Sequence, residues 1–280
     1  MALKNIAVFL DLTPAGRARA QYAVRLAFRH GAHLIGIFVP PSGWHVEPAE
    51  SFVRGHKAIQ ALIDRHWTKE IAAIATADRR FEAASSREDI TFEFRVVRER
   101  DADEQAKLHA LHADLVIVGH PGSGGLPRYW SAETMLLTTG VPFLVLPDEW
   151  KGEVVPERIL LGWNASREAR RAITDSLPIL KVAQSVALIV VDAADNPRHG
   201  EEPGADVALY LARHGVNVTV EQMHSNGLPV ADVILNFARD NKINFIVIGA
   251  YSHSRSREII FGGVTRSLLN KAEMPLLIAH

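Results

Sequence analysis

The same order of apolar and amphipathic segments runs through this chain twice, and no other feature restricts its fold as much. In the first pass the apolar runs are "NIAVFLD", "HLIGIFV", "ITFEFRVV", "DLVIVG" and "PFLVLP". In the second they are "ILLGWN", "SVALIVVDA", "VNVTVEQM", "NFIVIG" and "MPLLIA". Each has the length of a strand. Segments with helical spacing lie between them, "GRARAQYAVRLAFRHG" after the first run and "SREARRAITDSLPIL" at the same place in the second half. Further helices are expected over Phe52 to Ala84, near Asp103 to His112 and near Ser131 to Thr139. Strands that alternate with helical crossovers make a parallel sheet covered on both faces. A repeat of this length is a duplicated domain, because solenoid units are far shorter. The expected architecture is therefore α/β, with two tandem Rossmann-like domains, each a five-stranded parallel sheet flanked by helices.

With 280 residues the chain has room for both domains. The first is expected over 1–147 and the second over 157–280. The linker, 148–156, falls within the proline-bearing, charge-rich "PDEWKGEVVPER". A formal net charge of −1 argues against a general nucleic-acid binder, which carries a basic excess. The chain contains no cysteine, which removes disulfides, thiolate metal ligands and thiol nucleophiles together. Asp11 interrupts the first apolar run, which thus reads as a strand and not as a signal peptide. No apolar stretch approaches the roughly 18 residues needed to span a bilayer. The expectation is a cytoplasmic protein with neither nucleic acid nor membrane as partner.

In open parallel sheets, ligands bind beyond the carboxyl ends of the strands, where strand order reverses. That places attention on Asp11 and the segment from Gly119 in the first half, and on Asn164, Val191 and the segment from Gly249 in the second. Together, "LVIVGHPGSG", "FIVIGAYSHSR", "FGGVTRSLLNKAEMPLLIAH" and the aspartate ending the first strand resemble the universal stress protein family in its tandem form. The resemblance covers nearly the whole chain. It implies strand order 3-2-1-4-5 in each half, a stress-associated binding or regulatory role, and ATP or another adenine nucleotide, with or without Mg2+, as ligand. In ATP-binding members the loop after the fourth strand reads Gly-x2-Gly-x9-Gly followed by Ser or Thr.

Carried onto the second half, Gly249 takes the first glycine position and Gly262 the third, while Ser252 stands at the second. Gly263 replaces the hydroxyl residue, and Val264 and Thr265 continue the pattern. Asn164 replaces the first-strand aspartate, and Val191 falls where the family packs adenine. Two glycines opening a helix expose backbone N–H groups in a nest at the positive end of the helix dipole. His253, Arg255 and Arg257 add positive charge beside it. The Cβ of Ser252 can obstruct a close backbone approach, and one lost charge-assisted bond costs about 1.5–3 kcal/mol. A strand-to-helix turn without ligand has the same outline. The first half keeps Asp11, but aligning Pro142 with Pro275 sets Tyr129, Trp130, Ser131 and Ala132 opposite Gly262 to Thr265, and Glu133 adds like charge. Its glycines, Gly119, Gly122, Gly124 and Gly125, are expected to shape a tight turn.

Other chemistries find little support. No Gly-Lys-Ser/Thr follows a glycine loop, and no His-Glu-x-x-His occurs. Pro121 occupies the first glycine position of a nucleophile elbow. His109 and His112 share one turn of a short helix, the ordinary pattern of a solvated face. Trp44, Trp67, Tyr129 and Trp130 are scattered without the basic interleaving of a single-strand binder. His253 and Glu258 are the sole general-base candidates beside the loop, so a binding module is expected ahead of a slow ATP hydrolase, and a partner-binding protein without nucleotide is the third reading. The last strands, "PFLVLP" and "PLLIA", carry no charged guard although each is expected at a sheet edge. Single-domain members of the family often dimerise through this strand. The same pairing is expected here within one chain, as an antiparallel pseudo-dimer, with further homodimerisation left open.

Overall fold

Near-continuous apolar runs form the central strands, buried on both faces, and in the computed structural model ten strands join one sheet whose two outermost strands are only partly buried. The structure describes residues 2–40, 56–97, 107, 109–120, 124–127, 132–151, 156–195, 199–250 and 262–280. The first half comprises β1 (Asn5–Leu10), α1 (Pro14–His30), β2 (His33–Phe38), α2 (His56–Ser85), β3 (Phe92–Val96), β4 (Leu115–His120), α3 (Ala132–Thr139) and β5 (Phe143–Pro147). The second comprises β6 (Arg158–Gly162), α4 (Arg167–Leu180), β7 (Ser185–Val191), α5 (Ala205–Arg213), β8 (Val218–Met223), α6 (Val230–Asp240), β9 (Phe245–Gly249), α7 (Gly263–Lys271) and β10 (Leu276–Ala279). Backbone at 107 and 109–111 is helical, within the short helix expected there. The helices α5 and α6, which the apolar runs alone do not delimit, supply the crossovers that the repeat demands.

The helix starts follow from local chemistry. Thr13 caps α1 by accepting the Gly16 amide, with Pro14 at the first helical position, and Ser166 caps α4 by accepting the Ala169 amide. Gly31 ends α1 in the left-handed region at φ 57°, which glycine adopts without steric cost.

Strand order is β3-β2-β1-β4-β5-β10-β9-β6-β7-β8. Each half thus has the order 3-2-1-4-5 that the resemblance implies. Neighbours within a half are parallel. At the junction β5 and β10 run antiparallel, with Val145 opposite Leu276, Leu144 opposite Leu277 and Phe143 opposite Ile278. The unguarded apolar edges therefore cover each other, as expected from their sequences. Two apolar layers cross both halves. One joins Val8, Leu144, Leu161 and Leu277 to Ala23 of α1, Phe81 of α2, Ile173 of α4 and Leu211 of α5. The other joins Phe9, Phe143 and Ile278 to Met135 of α3, Ile234 of α6 and Leu268 of α7.

Candidate functional site

In the second half, β6 and β9 are neighbours, and their crossovers α4 and α7 depart to opposite layers. That divergence opens a crevice at the carboxyl edge of the sheet. Four chain segments meet it. After β6, Asn164 is exposed, and its Oδ1 accepts the Ser166 amide at 3.3 Å, which sets the turn into α4. Ala165, between them, has φ 53°. After β7, whose last residue Val191 is half-buried against the second apolar layer, Asp192 has φ 51° and its Oδ1 accepts the Ser225 amide at 2.8 Å. Hydrogen bonds from Ser225 hold the Asp192 carboxyl below its ordinary value. Two side-chain-bearing residues in the left-handed region thus flank one edge, each at a cost on the order of 1 kcal/mol.

The third segment leaves β9, whose final residue is Gly249. A Cβ there would lie 2.3 Å from the Ala169 amide nitrogen and 2.4 Å from the Glu168 carbonyl carbon. This glycine admits the first turn of α4 onto the sheet, so packing alone requires it. Glu168, in that turn, is 5% exposed and paired with Arg167. Burial pushes its carboxyl up, but hydrogen bonds from Arg167 and its own backbone amide, with the charges of Arg167 and His280, outweigh burial and bring it below the ordinary value. The fourth segment is the start of α7. Gly262 is its N-cap and makes no side-chain cap bond, and the first intrahelical bond runs from the Arg266 amide to the Gly262 carbonyl at 3.2 Å. A Cβ on Gly263 would meet nothing within 4 Å among the described residues, and Val264 is exposed, whereas Thr265 is buried. Among the described residues, the start of α7 is thus uncapped at Gly262 and open at Gly263 and Val264, while Thr265 turns into the core. Ser252 and His253, with Arg255, Arg257 and Glu258, lie outside the described residues.

The first half handles the equivalent place differently. Asp11 accepts the Thr13 amide at 2.9 Å and pairs with Arg19, whose Nε also donates to the Phe9 carbonyl at 2.9 Å. Burial pushes the Asp11 carboxyl up, but the Arg19 charge and the hydrogen bonds from Thr13 and Arg19 prevail and hold it below its ordinary value. The segment from Gly124 folds back onto the strand ends. A Cβ on Gly124 would lie 2.2 Å from the Gly119 carbonyl oxygen, and one on Gly125 would lie 2.7 Å from the Phe9 carbonyl carbon. Both glycines have positive φ, 56° and 83°, and Leu126 behind them is buried. The chain itself thus packs against the ends of β1 and β4. Gly122, Tyr129, Trp130, Ser131 and the Glu133 side chain lie outside the described residues, while Ala132 is buried.

Two residues central to these edges escape a motif-based reading. Arg19 is 2% exposed and stands on the apolar face of α1 beside Ala20 and Ala23. A cation at a core-facing position eight residues after an aspartate is the signal that marks it. Glu168 gives no comparable signal, because an acid in the first turn of a helix is ordinary.

An open, Rossmann-like α/β arrangement in two copies defines the class. Residues 156–280 match the sequence profile described as the universal stress protein family. The whole chain shares its fold with a universal stress protein from Archaeoglobus fulgidus, at 15% identity and a TM-score of 0.67, covering 98% of this chain and 97% of that one. It also shares it with a functionally unknown protein from Pseudomonas aeruginosa, at 14% identity and a TM-score of 0.57, covering 99% and 92%. No curated protein is detectably similar in sequence. No described helix is long and apolar enough to cross a membrane.

Proposed function

We propose that the second half binds an adenine nucleotide, ATP above all, and that the protein is a stress-associated binding or regulatory module and not an enzyme. The observation that carries this reading is the start of α7, uncapped at Gly262 and open over Gly263. Its first-turn N–H groups, without a side-chain cap among the described residues, and the dipole's partial positive charge, about half an elementary charge, suit a phosphate group. Asn164 and Val191, at the ends of the two strands on the far side of the crevice, would receive the base, one by hydrogen bonding and one by apolar contact. Magnesium, where present, would accompany the phosphates. The carboxylates brought to this edge by the described residues, Glu168 and Asp192, are engaged by Arg167 and Ser225, which favours binding over water activation.

Calorimetric titration with ATP, with and without magnesium, tests the reading. Gly263→Asp adds a carboxylate where there is space for it, which suits the helix dipole but repels phosphate. Affinity should fall at least tenfold, about 1.4 kcal/mol, while the fold survives. Equal affinity in the variant would overturn the site, and steady ADP release would overturn the non-enzymatic role.

A further inference from the structure

Away from the second-half crevice, α1 and the chain that follows β5 form the walls of a cleft of about 260 Å³. The same buried Arg19 reaches it from α1. Its Nε and Nη2 are engaged by Phe9 and Asp11, whereas Nη1 lies against Gly119 near the Asp148 carboxylate and forms no hydrogen bond among the described residues. Trp150 makes part of the opposite wall, and its indole N–H is buried without a partner among the described residues. Tyr22, 5% exposed, gives a second aromatic surface, and the end of β5 supplies an apolar floor. Arg25 and Lys151 stand exposed at the mouth, with Asp148 as the single carboxylate among the lining residues.

The charges select the ligand. Arg19, Arg25 and Lys151 stand against Asp11 and Asp148, the latter within reach of the Arg19 charge, so the cleft keeps a cationic excess. The remaining N–H groups of Arg19 Nη1 can donate a single charge-assisted hydrogen bond to a carboxylate oxygen. Two aromatic walls and an apolar floor match an apolar body, and the volume holds a molecule of benzoate or indole size. An acceptor on the ligand would also satisfy the indole N–H once the ring turned toward the cleft. We propose that this cleft binds a small organic carboxylate with an aromatic or apolar body.

The test is titration of the full chain with benzoate, benzamide and inorganic phosphate, followed by calorimetry and tryptophan fluorescence. Saturable benzoate binding is expected, with benzamide at least tenfold weaker because it lacks the charge. Arg25→Gln and Trp150→Phe should each weaken benzoate at least threefold, and Gly263→Asp should leave it unchanged, which separates this cleft from the nucleotide site. Arg19 is left intact because its pairing with Asp11 is structural. Absence of saturable benzoate binding, equal binding of benzamide, phosphate binding as tightly as benzoate, or unchanged affinity in both cleft variants would each overturn the proposal.

Discussion

At the scale of single residues, Asp11 and Gly249 show how the same sequence position serves stability before it serves any ligand. The Asp11 carboxyl has a lower pKa folded than its ordinary value near 3.9. Its contribution to stability is therefore complete above that value and is lost as pH falls through the folded one. Asp11→Asn should destabilise the protein by about 3 kcal/mol at neutral pH, since a nearly buried guanidinium loses its counter-ion. In acid unfolding curves the variant should lack part of the wild-type decline below pH 4 or so. Curves of identical shape would show that Arg19 does not govern the titration. Gly249→Ala forces a Cβ into the backbone of α4, and overpacking of this kind costs about 1–3 kcal/mol. Its melting temperature should drop by several degrees, whereas Gly263→Ala, with open space at its Cβ, should melt near wild type.

At the scale of elements, the two halves begin their first helices in the same way. Asp11 and Asn164 each accept the amide two residues on, at 2.9 and 3.3 Å, and Thr13 and Ser166 then cap the helix. This pairing of an Asx turn with a helix cap explains why Asn164 can replace an aspartate without disturbing the turn, since either side chain offers the acceptor oxygen. Ser166→Ala should cost about 1 kcal/mol in denaturant unfolding, because the Ala169 amide loses its acceptor at a buried site. Ser166→Thr should restore most of it. In contrast α7 begins on glycine, without a side-chain cap.

At the scale of the whole molecule, the junction of β5 and β10 converts two domains into one sheet. Val145 is 3% exposed and Leu277 is fully buried, and both apolar layers run through them or their partners. Leu277→Lys would bury an unpaired charge at the seam and re-expose two apolar edges. It should lower the unfolding midpoint by several degrees and raise light scattering on heating. A variant that melts and scatters like wild type would show that the seam contributes little to stability.

The repeat, the strand and helix types, the strand order within each half through the family resemblance, and the glycine start at Gly262 and Gly263 can all be read from the residues alone. These are properties of periodicity and of side chains acting on their own backbone, so they are legible over a few residues. The roles of the other glycines emerge from long-range packing. Gly249 faces α4, and Gly124 and Gly125 press onto the ends of β4 and β1, so one residue type admits a helix in one half and backs a chain onto strand ends in the other. The same packing also brought Arg19, Asp11 and the Phe9 carbonyl together, and gathered Tyr22, Arg25 and Trp150 around one cleft across more than a hundred residues of chain. Such contacts depend on where distant backbone segments lie, and a linear pattern specifies a residue's own conformational preference but not the neighbour that will occupy the space beside it.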